Sequence, residues 1–208
     1  MLVVYSDYDD AMAILEKCAK RFVAEGTARI PRVLGPPKTT AIDVEHALAE
    51  PEKLAVFFFG HGVLGSLSLM APDRNPAIHA RNLHLLAERV VCATACFSWE
   101  ILRAGVQPHD YTVLGYQGVL NLPLDCKYHP RFVDCALAGP LQLLKGETTA
   151  KARELCSRSF EQAAVELVAS GSVTDAMIAS LVFRKAAVGI RVEGRNRRMD
   201  PACFSVNA

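Results

Sequence analysis

The chain has 208 residues, of which 51% are hydrophobic, with 23 basic and 22 acidic side chains. This length and apolar content predict a single domain, 1–208, with a sizeable core. The balanced charge excludes an overall field that would recruit nucleic acid or an anionic membrane. No apolar stretch approaches the roughly 20 residues of a membrane span, and the start lacks the basic n-region of a signal peptide, so we expect a cytoplasmic protein.

Apolar runs alternate with helical patterns over the first 125 residues, and this alternation predicts an α/β fold with a mainly parallel sheet. The predicted strands lie at 2–5, 32–34, 54–59, 90–93 and 112–115. The predicted helices run from Asp9 or Asp10 to Gly26, from Thr40 or Asp43 to Pro51, over 81–88 and over 99–104. Between 61 and 81, extended spacing and proline turns predict a hairpin or loop excursion.

After Pro130 the pattern becomes helical. We predict helices at about 132–144, 149–169 and 173–187, punctuated by Gly146 and Gly171, and a last short strand at 188–192. The arginine-rich segment 191–198 is interpreted as a solvated end. The domain is therefore expected to comprise an α/β core at 1–125 and a helical C-terminal portion at 126–208.

Two of the predicted strands end in reactive side chains. The run 54–59 leads into Gly60-His61-Gly62, and the run 90–95 leads into Cys96-Phe97-Ser98. Neighbouring strands of a parallel sheet deliver their C-terminal ends to one rim. A thiol and an imidazole that meet there form a nucleophile–base pair. A helix that begins after Cys96 would also favour its thiolate, and the N–H groups of Gly62 and Cys96 are placed to face an oxyanion.

The cysteine usage agrees with a reducing compartment. The seven cysteines are odd in number, scattered and often inside apolar runs, which is unlike a disulfide framework. Cys92 and Cys96 are four residues apart, and His61 is a third candidate zinc ligand. Because Cys92 lies inside a predicted strand and no second close pair exists, we expect no structural metal.

The order of these motifs resembles the caspase–gingipain–separase clan of cysteine peptidases, in particular its bacterial CHAT branch, a caspase-like domain often found with TPR repeats. The likeness covers roughly residues 1–125. It implies a three-layer α/β/α sandwich, with His61 as general base, Cys96 as nucleophile, and Gly62 and Cys96 as oxyanion donors. It also implies a dyad without a third acidic member, and neither cofactor nor catalytic metal.

The resemblance further implies where the substrate binds. The pocket for the residue before the scissile bond would be lined by the end of the first strand, the residues before the nucleophile, and the loop after the fifth strand. The candidates at these places are Asp7, Asp9, Ala95 and Tyr116. Asp7 or Asp9 at the pocket floor would favour Arg or Lys by charge pairing, although Asp9 can also simply cap the first helix.

The expected activity is therefore cleavage of a specific protein substrate through a thioester acyl-enzyme. The resemblance places it in a bacterial defence or signalling system. The departures from the clan's pattern are a bulky Phe97 between Cys96 and Ser98 and the absence of a sensor or repeat domain. Regulation is therefore expected to come from a protein partner.

Two other interpretations stay open. The segment 60–65 matches the G-x-G-x-x-G nucleotide fingerprint, which requires a helix to begin inside the motif. The alternation of polar and apolar residues at 66–69, followed by Pro72, instead favours an extended segment. A catalytically silent binding module with the same fold and an unreactive Cys96 is the other alternative. Alkylation of Cys96 discriminates among the three.

Overall fold

A six-stranded sheet forms the centre of the computed structural model, which describes residues 1–26, 32–52, 55–169 and 173–199. Its strands are β1 (Leu2–Tyr5), β2 (Arg32–Leu34), β3 (Val56–Phe59), β7 (Val90–Thr94), β8 (Thr112–Tyr116) and β9 (Ile190–Glu193). They lie in the order β2-β1-β3-β7-β8-β9 and are parallel except for β9, which runs antiparallel to β8. The predicted α/β class with a mainly parallel sheet is confirmed.

The predicted excursion between 61 and 81 is a second, antiparallel sheet. It consists of β4 (Gly62–Val63), β5 (Ser68–Met70) and β6 (Pro76–His79), in that order. The helices of the described part are α1 (Asp10–Glu25), α2 (Ala41–Ala49), α3 (Ser98–Arg103), α4 (Val106–His109), α5 (His129–Leu144), α6 (Thr149–Ala169) and α7 (Val173–Gly189). None of the helices in these ranges is long and apolar enough to cross a membrane.

Both faces of the large sheet carry an apolar core. Phe57 and Phe59 of β3 point to the face that packs on α1, α5, α6 and α7, whereas Val56 and Phe58 point to the face that packs on α2, α3 and the small sheet. All four side chains are at most 1% exposed. A strand that is buried on both faces has apolar side chains at every position, which is why the sequence predicts β3. This layering agrees with an α/β sandwich.

Two local predictions need correction. The predicted helix at 81–88 is only a 3₁₀ turn, Leu83–Leu86, because Asn82 bonds back to Ala77 O and to the N–H of His79, and Glu88 has a φ of 63°. The segment 191–198 is not simply solvated, since Arg197 donates to the carbonyls of Glu88 and Asp110.

The strand predicted at 54–59 is β3, which begins at Val56. Leu54, Gly171 and Cys203 lie outside the described residues.

Arg89 is a buried cation that joins α2 to the 3₁₀ turn. Its guanidinium is 3.1 Å from Leu85 O, 2.9 Å from Leu48 O and 3.3 Å from Glu50 O, and the residue is 3% exposed. Leu48 and Glu50 lie at the C-terminal end of α2, where carbonyls have no partner within the helix. Burial lowers the pKa of the guanidinium. Arg89 therefore acts as the cap of α2.

Arg89→Met is expected to lower the free energy of unfolding by about 3 kcal/mol, because it leaves buried carbonyls without a donor. The exposed Arg81→Met is the matched control and should change stability by no more than about 0.5 kcal/mol. Urea unfolding of the two variants measures the difference. Equal unfolding midpoints would show that Arg89 does not cap α2.

Candidate active site

The structure brings the two reactive motifs to neighbouring strand ends. β3 and β7 are adjacent and parallel, with Phe59 opposite Thr94. The N–H of Gly60 donates to Thr94 O over 3.3 Å, which extends the pairing beyond the strands. His61 and Cys96 each lie two residues after the last paired position. The sheet order therefore places both predicted catalytic residues at one edge.

Gly62 touches the backbone of Cys96. A Cβ atom added at Gly62 would lie 1.8 Å from the carbonyl oxygen of Cys96 and 3.2 Å from the side chain of Ile101. Only a residue without a side chain fits this approach. The N–H of Met70 donates to His61 O, so Gly62 occupies the neighbouring non-hydrogen-bonded position opposite Leu69. The N–H of Gly62 therefore points away from β5; the oxyanion role of Gly62 and Cys96 stays a prediction.

A constrained turn presents Cys96. Phe97 has a φ of 53°, a left-handed conformation that costs a non-glycine residue about 1–2 kcal/mol. Its N–H donates to Gly118 O over 2.7 Å. The buried hydroxyl of Ser98 donates to Ala93 O over 2.9 Å and accepts from the N–H of Tyr116 over 2.8 Å. Backbone strain held by such contacts is common at functional sites.

The thiol of Cys96 contacts the backbone of Leu120. The N–H of Leu120 is 3.4 Å from Sγ, and Sγ is 3.8 Å from Leu120 O. Burial raises the pKa of the Cys96 thiol, and the hydrogen bond from Leu120 only partly offsets this effect. The helix expected after Cys96 begins at Ser98 as α3, and its effect on the thiolate stays a prediction.

The segment 117–121 is held against the nucleophile at several points. The N–H of Gln117 donates to Gly189 O over 2.7 Å, and the N–H of Gly118 donates to Oε1 of Glu100 over 2.8 Å. Leu120 itself is 7% exposed. Glu100 was not identified from the sequence, since its partner lies 18 residues away on a loop. The segment thus limits access to Cys96.

The imidazole of His61 bonds to an acidic residue. Its Nε2 is 2.7 Å from Oδ2 of Asp9, while Oδ1 of Asp9 accepts the N–H of Met12 over 2.9 Å and caps α1. Burial opposes ionisation, but the hydrogen bonds from His61 and Met12 outweigh it and hold the pKa of Asp9 below its ordinary value. The sequence pattern indicated Asp9 only as a helix cap or pocket residue, so this partner of His61 was missed.

The other predicted substrate-binding residues lie in different environments. The side chain of Asp7 is exposed near the end of β1. Ala95 is fully buried in the core beside α3, and Tyr116 is 5% exposed in the core on the opposite face. Burial raises the pKa of Tyr116 well above its ordinary value. Of the four predicted substrate-binding residues, Asp7 and Asp9 have exposed side chains, whereas Ala95 and Tyr116 are buried. The substrate role of all four stays a prediction.

A cleft opens directly beyond the segment 117–121. It has a volume of about 320 Å³ and is lined by residues 121–125, Tyr128 and one face of α7. Most lining residues are apolar, with Asp125 and Asp175 among them. The cleft adjoins Asn121, the residue after the thiol-contacting Leu120, so it lies beside the candidate site.

The geometry required for the nucleotide fingerprint is not formed. β4 lies within the segment 60–65, and β5 follows it, so no helix begins inside the motif. Without that helix there is no N-terminus to receive a pyrophosphate. Within the described ranges, no group of three His, Cys, Asp or Glu side chains is arranged to hold a metal ion.

No model of a known protein family matches this chain, and no curated protein matches it. The likeness to caspase-like peptidases therefore rests on the two motifs and their positions at adjacent strand ends.

Proposed function

We propose that this chain is a caspase-like cysteine endopeptidase that uses His61 as general base and Cys96 as nucleophile. The observation that carries the proposal is the convergence of the two motifs: His61 and Cys96 follow adjacent parallel strands, and Gly62 packs directly on the backbone of Cys96. A thiol and an imidazole at one sheet edge, beside a glycine N–H, are the groups that acyl transfer requires.

The reaction would proceed in two steps. The Cys96 thiol gives its proton to His61, and the sulfur attacks the carbonyl carbon of the scissile peptide bond. The resulting oxyanion collapses, the C–N bond breaks, and the leaving amine takes the proton from His61. Water, deprotonated by His61, then attacks the thioester; the acid product leaves and the thiol is restored.

The contacts of Cys96 indicate a resting state. Burial raises the pKa of the Cys96 thiol, and Leu120 of the segment 117–121 lies against its sulfur. We propose that a regulatory protein partner moves this segment. Asp7, exposed at the end of β1, is the carboxylate best placed to select Arg or Lys in the substrate. Cytoplasmic action on a specific protein in a defence or signalling system follows from the resemblance.

Selective alkylation tests the proposal. Cys18, Cys92, Cys135 and Cys156 are buried, so a Cys126→Ala, Cys203→Ala background leaves Cys96 as the main target of iodoacetamide. Incubation with a library of denatured peptides, followed by mass spectrometry, should show cleavage by the untreated protein and none after Cys96 is modified. Cleavage that survives complete modification of Cys96 would disprove the proposal. Absence of cleavage before modification would agree both with the silent binding module and with a resting state that needs its partner.

A further inference from the structure

We infer that Asp9 is a positioning residue that fixes the His61 ring with Nε2 protonated, so that Nδ1 is the basic nitrogen offered to Cys96. The inference rests on the proposed function, and it adds an acidic third member to a pair for which the motifs implied none. Its starting point is the 2.7 Å contact between Nε2 of His61 and Oδ2 of Asp9.

The Asp9 carboxylate is held rigidly. Its Oδ1 accepts the N–H of Met12 over 2.9 Å, and its own carbonyl accepts the N–H of Ala13 over 3.0 Å, so Asp9 forms the first turn of α1. The 16-residue helix packs on the sheet through buried side chains such as Phe22. The bond to Met12 orients the carboxylate, and its other oxygen, Oδ2, meets Nε2 of His61.

The face of the imidazole is also supported. The ring of Tyr8 lies 5.4 Å from that of His61, with an angle of 31° between the planes. Tyr8 is in turn held by Arg74, whose guanidinium lies 4.8 Å from the Tyr8 ring and donates to Tyr8 O over 3.2 Å. The ring of His61 therefore has an acidic partner at one edge and an aromatic partner on one face.

The tautomer follows from hydrogen-bond chemistry. An ionised carboxylate can only accept, so a neutral His61 bonded to Asp9 must carry its proton on Nε2. Nδ1 then carries the lone pair and can take the proton of a thiol. Oδ1 of Asp9 caps α1 and Oδ2 meets His61, so the role inferred for Asp9 is to orient the imidazole.

Three variants separate the role of Asp9 at His61 from its role as a helix cap. Asp9→Asn keeps an oxygen for Met12 but presents an amide to His61, and Asp9→Ser keeps a helix cap but removes the His61 partner. Asp10→Asn, next in sequence and exposed, is the matched control. All three are expected to fold, so changes at His61 are not masked by loss of the structure.

A long-range proton–nitrogen NMR spectrum of the histidine rings, at a pH where they are neutral, is the direct test. His61, assigned by comparison with His61→Ala, should be protonated at Nε2 in the wild type and in Asp10→Asn. It should switch to Nδ1 in Asp9→Asn and become a mixture in Asp9→Ser. An unchanged tautomer in Asp9→Asn would overturn the inference. This readout needs no substrate, so it stands even if the peptidase proposal fails.

Kinetics supply the second readout on any peptide that the wild type cleaves. Asp9→Asn should lower kcat by about 10²- to 10⁴-fold with little change in KM, because the wrong nitrogen carries the proton. Asp9→Ser should lose less, and Asp10→Asn should retain full activity. Increased cleavage by Asp9→Ser would show that Asp9 restrains His61 instead of positioning it, and would overturn the inference.

Discussion

Cys96→Ala and His61→Ala are each expected to reduce peptide cleavage by about 10³-fold or more. Cys96→Ala removes the sulfur that forms the acyl-enzyme, and His61→Ala removes the base that ionises a thiol whose pKa burial has raised. Initial rates on the peptides identified for the wild type measure both losses.

The controls use the same residue types at exposed positions away from the sheet edge. Cys126→Ala and His46→Ala should retain full activity. Because nucleophile and base act as a unit, the double variant Cys96→Ala, His61→Ala should be no slower than either single variant. Losses that multiply in the double variant would contradict a shared catalytic step, and full activity of Cys96→Ala would remove the assignment altogether.

Gly62→Ala should be the most damaging single-methyl addition at the site. Its Cβ would lie 1.8 Å from the carbonyl oxygen of Cys96, so one of the two backbones must move. We expect a loss of about 3 kcal/mol or more in the free energy of unfolding, the upper range for overpacking, because the clash is with main chain and not with a flexible side chain. Urea unfolding and the alkylation rate of Cys96 would both report the displacement.

Gly65→Ala is the matched control, three residues along the same segment. A Cβ atom added at Gly65 would meet no heavy atom within 4 Å beyond its chain neighbours, and neither glycine has a positive φ. Since only chain entropy changes there, Gly65→Ala should be neutral or stabilising by up to about 1 kcal/mol. Equal stability of the two variants would show that the contact between Gly62 and Cys96 is not maintained in solution.

Local signals in the chain were sufficient for most of the secondary structure. The continuous apolar runs predicted β3 and β7 because strands buried on both faces need apolar side chains at every position. Asp9 and Thr40 were recognised as candidate caps because their side chains can accept the orphan N–H groups of a first turn, and both do so. The helix at 149–169 was predicted with the bounds that α6 has.

Local signals failed where a distant residue competes with the local preference. The pattern at 81–88 fits a helix, but bonds from Asn82 back to β6 and the buried Arg89 hold the chain in a single 3₁₀ turn. The pattern around Cys96 suggested an activated thiolate, but burial raises the pKa of the thiol, and the N–H of Leu120, 24 residues away, only partly offsets this effect. Leu48, which Arg89 bonds, and Leu120 lie outside the two segments, so the residues of each segment do not reveal these partners.

The amino-acid pattern was enough to predict the strand ends and the residues that follow them, because a strand buried on both faces needs apolar side chains at every position. It placed His61 after β3 and Cys96 after β7. The contacts of these side chains depend on the order of the strands, which long-range packing sets and no local pattern predicts. The order β2-β1-β3-β7 puts the end of β1 beside the end of β3, and so brings Asp9 to Nε2 of His61.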